Sequence, residues 1–407
     1  MVKRGQFEAV YPDKNNYNYF TPLVYQVATG FLDPSSISYP FRKLFRKKAI
    51  SFRMASVEKI DAAANNVCLD DGGILHYDIL IVAIGTRTNF FGNESIKTNS
   101  FSLKGIDDAL HLRNEMVKTQ EKAAIETDPE ERKRLMTIVI AGGGPTGVEV
   151  AGMLAEMRRF ILEKDYPNLN AAEADIYIVD GSPFLLPPMS DKSHKAAYSI
   201  LDKQGVIIKL NTQVKQFGNG LVELSDGTTI ESRTLIWAAG VTGNSIEGLQ
   251  KESIGKGGRL LTDGFNKVNG YSNIYAIGDI SMLFTDTDYP NGHPQLAQPA
   301  IQQGTQLAKN LIREAKGDTL KPFKYFDRGD MAIIGRRAAV ADLFKHKLHF
   351  GGLLGLLSWL FIHLISLVSF SNKFRTVYNW GVAYLTRDQA LRMIFRPGNR
   401  ENKNNKF

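Results

Sequence analysis

The amino-acid sequence predicts an α/β protein with two Rossmann-like dinucleotide-binding domains, the first N-terminally truncated, and a C-terminal helical segment that associates with a membrane. Three observations support this fold class: a strand, glycine loop and helix at residues 137–152, a gapless internal repeat, and an uncharged apolar run near the C-terminus. The chain has 407 residues, of which 43% are hydrophobic and 23% charged, so it is long enough for two or three globular domains.

The glycine loop lies in TIVIAGGGPTGVEVAG, where Gly142, Gly144 and Gly147 have the spacing G-x-G-x-x-G. Such glycines allow a tight strand-to-helix turn, close approach of the backbone to a pyrophosphate, and close packing of the helix on the strand. A β-branched strand precedes the loop and a helix-forming run at 148–160 follows it, and this context distinguishes a dinucleotide site from an ordinary glycine-rich turn. The predicted dinucleotide-binding residues here are Gly142, Gly144, Pro145, Thr146 and Gly147.

Asp180 ends the next apolar strand, IYIVD, where a carboxylate accepts a hydrogen bond from a ribose 2′-OH. A carboxylate also repels the 2′-phosphate of NADPH, and no arginine follows in GSPFLLPP, so NADH is favoured. Gly142 and Asp180 are 38 residues apart, more than the usual ~20, and we assign the extra length to the polar segment EKDYPNLNAAEAD. The alternative is an ordinary carboxylate at the end of a strand.

The internal repeat consists of DGGILHYDILIVAIG from Asp71 and DGTTIESRTLIWAAG from Asp226. Each copy contains a DG turn, an edge strand and an apolar strand that ends in glycine, at Gly85 and Gly240. This pattern is typical of a buried parallel strand that follows a small hairpin. The chain therefore contains two similar nucleotide-binding units.

In the first of these units, FEAVYPD at residues 7–13 is similar to the second strand of such a domain, with Asp13 in the place of the ribose carboxylate. No glycine-rich loop precedes it. The first strand of a doubly wound sheet lies in the middle of the strand order, so its absence would leave two neighbours without a partner. We therefore expect the first domain to be truncated at its N-terminus.

The basic charge of the chain lies at its C-terminal end. Residues 331–407 contain twelve Lys or Arg against three Asp or Glu, so this segment has a net charge of +9. The whole chain has a net charge of +8, so the remaining residues together carry −1. Within it, residues 350–371, FGGLLGLLSWLFIHLISLVSFS, contain no formal charge over 22 positions. A transmembrane helix needs ~20 apolar residues, so the run is long enough to span a bilayer.

The same run also suits a helix that lies in the interface, or a hairpin. Small residues fall within one arc of its helical wheel and can pack on protein, while the large apolar residues meet lipid. These small residues are Gly351, Gly355, Ser358, Ser366 and Ser369. Cations on both sides attract anionic headgroups, so we expect an anionic lipid surface and no nucleic acid as partner. A buried core helix of a soluble domain is the alternative.

Cys68 is the single cysteine of the chain. A disulfide framework, a cysteine-ligated zinc site and an iron–sulfur cluster all need more thiols, and we expect no metal. The missing C-x-x-C pair argues against disulfide reductases, and the missing cysteines argue against a sulfide:quinone oxidoreductase. The polar start of the chain predicts no secretory signal.

The chain resembles the type II NADH dehydrogenases, single-chain flavoproteins that pass electrons from NADH to quinone. The resemblance covers nearly the whole chain and rests on DKNNYNYFTPLVYQVATG (13–30), AGGGPTGVEVAG (141–152), WAAGV (237–241), NIYAIGDIS (273–281), LAQPAIQQG (296–304) and the apolar C-terminal segment. It implies a two-dinucleotide-binding-domain flavoprotein with FAD, NADH as substrate and a membrane quinone as acceptor, without proton pumping. NADH is cytosolic, so the cytoplasmic face of the cell membrane is implied.

The resemblance also assigns residues to FAD. Asp13 would hold the adenosine ribose, and Gly85 would end the strand under the flavin. Gly278 and Asp279 would bind the ribityl and pyrophosphate region, although a strand-end turn with an N-cap aspartate explains them equally well. Ala239, Gly240 and Ala297 complete the predicted cofactor-binding residues.

Two residues are predicted to be catalytic. Glu149 is similar to the family glutamate near nicotinamide and flavin, and its alternative role is to complement a helix dipole. Gln298 is our first choice for contact with quinone, with Ile301 and Gln302 nearby, and Pro299 can start a helix at this point.

The predicted domains are residues 1–112 (first part of the FAD-binding domain), 113–267 (NADH-binding domain), 268–330 (second part of the FAD-binding domain, with the quinone segment) and 331–407 (membrane anchor). Two other functions stay open: a soluble NADH-dependent flavin or ferredoxin reductase, and a catalytically inactive membrane-bound NADH-binding protein. The quinone is not identified, and the oligomeric state is open, with a homodimer as one possibility.

Overall fold

A computed structural model describes residues 7–336, 338–386 and 391–394. The chain up to residue 105 forms β1 (Ala9–Asp13), β2 (Tyr17–Tyr19), α1 (Val24–Ala28), α2 (Pro34–Ile37), β3 (Ser38–Pro40), α3 (Phe41–Leu44), β4 (Ile50–Met54), β5 (Val57–Asp61), β6 (Asn66–Leu69), β7 (Ile74–His76), β8 (Leu80–Val82), β9 (Thr86–Thr88), α4 (Glu94–Asn99) and β10 (Phe101–Ser102). The strand predicted at 7–13 is therefore confirmed as β1.

The next part, which contains the glycine loop, comprises α5 (Ile106–Ile125), α6 (Pro129–Met136), β11 (Ile138–Ala141), α7 (Pro145–Met157), α8 (Glu163–Asp165), β12 (Ile176–Val179), α9 (Asp191–Lys203), β13 (Val206–Lys209), β14 (Val214–Gly218), β15 (Leu221–Leu224), β16 (Thr229–Glu231), β17 (Thr234–Trp237) and β18 (Val241–Gly243). A parallel five-stranded sheet has the order β10-β17-β11-β12-β13. Its strands β11 and β17 are apolar along their length because helices and loops cover both faces.

The chain then returns to the first unit with β19 (Leu260–Thr262), β20 (Ile274–Ala276), β21 (Ser281–Leu283) and α10 (Ala297–Glu314). In this unit β1 pairs with β4 and β20 pairs with β8, both in parallel, as two separate sheets. No strand of the described residues joins them. The strand β19 pairs with β21, so the chain has left the five-stranded sheet before residue 260.

The repeat seen in the sequence is confirmed by two equivalent antiparallel sheets, β5-β6-β7 and β14-β15-β16. In each, the DG turn places glycine at positive φ, +77° at Gly72 and +82° at Gly227. Each sheet leads directly into an apolar parallel strand, β8 or β17. The first predicted domain ends at residue 112, and this position lies within the 20-residue helix α5.

Beyond residue 328 the chain forms β22 (Gly329–Ile333), β23 (Ala339–Leu343), β24 (Leu348–Phe350), α11 (Gly352–Ser366) and α12 (Phe370–Thr386). The three strands form an antiparallel sheet that contacts α7, α9 and α11. The largest hydrophobic core joins these C-terminal elements to α1, α5 and α7, with Leu112, Val150 and Trp359 all fully buried or nearly so. The helix α7 lies at the centre of this core.

The apolar run at 350–371 is divided between α11 and α12 by a break at Leu367. Among the described residues, none of the helices combines the length and the apolar character that crossing a bilayer requires. The prediction that small residues form the face packed on protein is right for Gly355, where an added Cβ would lie 2.5 Å from the Ala339 carbonyl oxygen. It is wrong for Gly351 and Ser366, which are exposed, because the large side chain of Trp359 fills that interface instead.

Candidate active site

The glycine loop between β11 and α7 has the geometry that its sequence predicts. Gly142 has φ +115°, and a Cβ there would lie 2.5 Å from the Ala238 carbonyl oxygen. A Cβ on Gly147 would lie 1.8 Å from the Gly142 carbonyl oxygen, so only glycine lets α7 start this close to the strand. Gly144 is the N-cap of α7, with open space around it, and Pro145 and Thr146 form the first helical positions. The loop is therefore packed on one side and open on the other.

Asp180 lies directly after β12, beside this loop. Its Oδ2 accepts a hydrogen bond from the Gly143 N–H at 2.5 Å, and its Oδ1 accepts one from the Ser182 N–H at 2.6 Å. These two bonds fix the orientation of the carboxylate. The remaining acceptor capacity of the two oxygens is available to a ligand hydroxyl.

A cavity of about 440 Å³ opens at this edge of the five-stranded sheet. Asp180 and Gly142 line it, together with Ala239 at the end of β17 and the segment 212–215. Gly240 follows Ala239 with φ +151°, and its carbonyl oxygen accepts a hydrogen bond from the Asn89 N–H. Phe90, Phe91 and Trp237 also line the cavity, and sequence reasoning missed all three aromatic residues. Trp237 begins the motif WAAGV but was given no role, and Phe90 and Phe91 lie outside the motifs, in the loop between β9 and α4.

A second group of predicted residues meets at the start of α10. Gly278, with φ +74°, begins a short 3₁₀ turn, and its N–H donates to Oε1 of the buried Gln303 at 2.6 Å. The Asp279 carboxylate accepts a hydrogen bond from the Thr86 hydroxyl at 3.2 Å, and Lys104 Nζ donates to the same hydroxyl at 2.6 Å. Burial lowers the pKa of Lys104, and the charge of Asp279 acts in the opposite direction. None of these three residues was predicted. Gln303 lies in the motif LAQPAIQQG but was given no role, and no local pattern marks Thr86 and Lys104.

These residues fit the flavin that the sequence resemblance implies. The N-cap of α10, Leu296, provides no side-chain cap, so the first N–H groups of the helix, which begins with Ala297, remain available to an electron-rich ligand. An added Cβ on Gly278 would lie 3.3 Å from the Cβ of Ala300, so the turn lies directly against the helix. Gly85 has φ +64° with open space around it, and Asp13 ends β1 with its Oδ1 held by the Asn15 N–H.

The predicted quinone residues lie on the first turns of α10 and differ in what they offer. Gln298 donates from Nε2 to the Gly329 carbonyl oxygen at 3.0 Å, and its Oε1 is buried and accepts no hydrogen bond from the described residues. Ile301 is 67% exposed. Gln302 exchanges two hydrogen bonds with the backbone of Phe326, so its amide already anchors that segment. Its role as a quinone contact stays a prediction.

Glu149 lies on the second turn of α7 and is buried. Its Oε1 lies 3.5 Å from the backbone nitrogen of Ile333 on β22. Burial raises the pKa of Glu149 to about 8, against the lowering influence of the Ile333 N–H and the Trp359 indole. This raised pKa favours the protonated form at neutral pH, and a neutral group would not complement a helix dipole.

The environment of Glu149 is formed largely by the C-terminal part of the chain. Trp359 on α11 is fully buried and stacks on His363 with 3.9 Å between ring centroids. Gly152, one turn after Glu149, lies so close to Gly335 that an added Cβ would be 2.7 Å from the Gly335 nitrogen. The C-terminal sheet and α11 therefore close over this side of α7.

Comparisons with known proteins agree with this arrangement. Residues 3–304 match the family described as pyridine nucleotide-disulphide oxidoreductase, and residues 328–388 match the NDH2 C-terminal domain. The chain is 34% identical to the type II NADH:quinone oxidoreductase NdhA of Mycobacterium tuberculosis, over 97% of this chain and 85% of that protein. It is 31% identical to the type II NADH:quinone oxidoreductase of Staphylococcus aureus, over 84% of each.

Among solved structures, NDH2 from Plasmodium falciparum in complex with NADH superposes with a TM-score of 0.87 at 20% identity. The match covers 97% of this chain and 96% of that one. It shows that the two chains share a fold from the first unit to the C-terminal helices.

Proposed function

The chain belongs to the type II NADH:quinone oxidoreductases, and we propose how its residues divide NADH oxidation and quinone reduction between the two sides of α7. The enzyme is a membrane-associated respiratory oxidoreductase with FAD as its cofactor. One observation carries the division. Gly142, in the loop that leads into α7, lines the cavity beside Asp180, while Glu149, on the second turn of α7, contacts the C-terminal part.

NADH binds at the glycine loop. The open side of Gly144 receives the pyrophosphate at the N-terminus of α7, with Gly142, Pro145, Thr146 and Gly147 forming the turn. Asp180 accepts a hydrogen bond from the adenosine ribose, with its orientation already set by the Gly143 and Ser182 N–H groups. Ala239 and Gly240 are small and leave space for the nicotinamide half of NADH. These roles give NADH preference over NADPH, since a 2′-phosphate would meet the carboxylate.

FAD, when bound, supplies the two-electron relay between NADH and quinone. The residues that hold it are Asp13, Gly85, Gly278, Asp279 and Ala297. The Asp279 carboxylate accepts a hydrogen bond from the Thr86 hydroxyl, and the Gly278 N–H donates one to the amide oxygen of Gln303. The predicted division into residues 1–112, 113–267, 268–330 and 331–407 is kept as a proposal.

Quinone binds beside β22, which contacts α11 and is joined to α10 by the Gln298–Gly329 hydrogen bond. The free Oε1 of Gln298 accepts a hydrogen bond from a quinol hydroxyl, and the exposed side chain of Ile301 contacts the ring or its tail. Glu149 carries a proton at neutral pH in this region and can deliver it from its carboxyl group to a reduced quinone oxygen. The surrounding apolar core keeps water away from that proton.

The enzyme meets an anionic lipid surface with the exposed apolar faces of α11 and α12. These faces are formed by Leu353, Leu354, Leu357, Phe361, Ile365, Phe370, Phe374 and Leu385. Lys373 and Arg375 lie among them and would contact headgroups. NADH is cytosolic, so this surface lies on the cytoplasmic face of the membrane. The predicted homodimer stays a prediction.

The test is an assay of purified full-length protein with bound FAD. We expect NADH oxidation that depends on a short-chain ubiquinone or menaquinone analogue, with NADPH a poor substitute. A flavin-loaded protein that binds NADH yet reduces no quinone analogue would contradict the proposal. Reduction of ferredoxin in preference to quinone would favour the soluble reductase instead.

A further inference from the structure

We propose that the ring of Phe91 forms one wall of the adenine subsite of NADH and thereby increases affinity for the adenosine half of the molecule. The inference rests on the proposed function, since it takes the cavity beside Asp180 to be the NADH site. No motif marks Phe91, which lies in the loop between β9 and α4.

The ring of Phe91 packs at the edge of the five-stranded sheet. Phe91 lines the same cavity as the segment that contains Val214. Its ring lies 6.4 Å from that of Trp237 in an edge-to-face arrangement. An added Cβ on Gly240 would lie 3.2 Å from its ring, so the ring covers the end of β17.

The exposure and the backbone of Phe91 do not suit a role in folding. Its side chain is 67% exposed, whereas the ring of neighbouring Phe90 is half-buried and stacks on Trp237. The φ angle of Phe91 is +53°, a region that bulky residues rarely adopt. The Asn89 side chain accepts a hydrogen bond from the Phe91 N–H at 2.8 Å and helps to hold this conformation. A large ring held in water in an unfavourable conformation is typical of a binding site.

The chemistry of the cavity selects adenine as the group that Phe91 contacts. Asp180 provides the ribose acceptor. Val214 and Trp237 add apolar side chains to the lining that contains Phe91, and Asn93, Thr212, Gln213 and Lys215 contribute polar ones. A flat heteroaromatic base stacks on such walls through its faces without any specific hydrogen bond.

The test compares Phe91→Gly with the wild type for two reductants. NADH contains the adenosine half, and reduced nicotinamide mononucleotide lacks it. We expect kcat/KM for NADH to fall roughly tenfold, and kcat/KM for the mononucleotide to stay unchanged. The dissociation constant of ADP-ribose, measured by calorimetry, should rise by a similar factor. Glycine adopts positive φ freely, so this variant keeps the loop conformation. Phe91→Tyr keeps the ring and should behave like the wild type.

Phe344→Gly is the matched control. Phe344 also has φ +53° and is 46% exposed, but it lies in the turn after β23 and does not line the cavity. It should leave all three measurements unchanged. An equal loss with both reductants, or unchanged ADP-ribose binding in Phe91→Gly, would overturn the inference. A wild-type protein that fails to oxidise NADH with quinone would instead refute the proposed function.

Discussion

The two sides of α7 are built in different ways. On the dinucleotide side the chain uses backbone: Gly142 and Gly147 leave room for a turn, and Asp180 is oriented by two N–H groups. On the quinone side it uses buried side chains from distant segments, with Glu149 enclosed by Ile333 and Trp359. The geometry of the first side therefore depends on steric fit between residues close in sequence. The properties of the second side depend on burial by distant segments. Substitutions on the two sides should fail in different ways.

The largest effect is expected from Gly147→Ala. The added Cβ would lie 1.8 Å from the Gly142 carbonyl oxygen, so the start of α7 must move away from the strand. We expect a loss of about 3 kcal/mol of unfolding free energy and no measurable ADP-ribose binding. Denaturant unfolding and calorimetry measure the two effects.

Gly144→Ala is its control, because no atom lies within 4 Å of an added Cβ there. It should leave unfolding nearly unchanged and raise KM for NADH, since the methyl group faces the open side of the loop. Equal stability of both alanine variants would show that packing does not set this turn.

Glu149→Gln tests the quinone side through pH. The folded pKa of Glu149 is raised to about 8, while the unfolded chain titrates near its ordinary value of 4.5. As pH rises through this window the unfolded state loses a proton that the folded state keeps, so the wild type loses stability, by about 3 kcal/mol at pH 7. Glutamine does not titrate, so the variant should be more stable above pH 5, by a margin that grows up to pH 8.

The same variant should lower kcat with quinone roughly a hundredfold, since it cannot donate a proton. The decline of the wild-type kcat with an apparent pKa near 8 should be absent from its pH profile. Parallel stability curves for the two proteins from pH 5 to 8 would contradict the buried, protonated state of Glu149.

The proposed membrane surface lies on the quinone side of α7, and its contribution can be tested without changing the proposed quinone-site residues. Phe361→Glu combined with Leu354→Glu places charges on two side chains that are 62% and 64% exposed on α11. Each charge costs about 2 kcal/mol in an apolar lipid environment, so most of the protein should leave vesicles of anionic lipid in a sedimentation assay. Ile125→Glu, at an exposed position at the end of α5, should stay bound. Retention of the double variant would show that another surface attaches the enzyme.

The smallest effect is expected from Asp180→Arg on the dinucleotide side. Arginine removes the ribose acceptor and pairs with a 2′-phosphate, so the ratio of kcat/KM for NADPH to that for NADH should rise about tenfold. Steady-state assays with both reductants measure it. Unchanged selectivity would refute the assignment of Asp180 to the ribose.

The sequence predicted the dinucleotide side well because its determinants lie close together in the chain. The glycine spacing, the strand before it and the carboxylate after β12 are local features, and the structure gives Gly142 and Gly147 the close contacts that such a turn requires. The repeat was equally clear in the sequence, since its two DG turns join the second and third strands of two equivalent antiparallel sheets. The length and the small-residue face of the apolar C-terminal helix were predicted less well. A run that is apolar on all sides does not indicate in its sequence which face is buried.

The sequence by itself determined the two nucleotide-binding units, the NADH motif and the family, because glycine sterics and strand periodicity act over a few residues. Only the tertiary structure decided that Glu149 is buried and has a raised pKa, that the amide of Gln302 is occupied by the Phe326 backbone, and that Phe91 lines the cavity beside Asp180. Each of these properties depends on burial or contact with residues far away in the chain. The free energy of a charge depends on how much water surrounds it, and that is set when distant segments pack together.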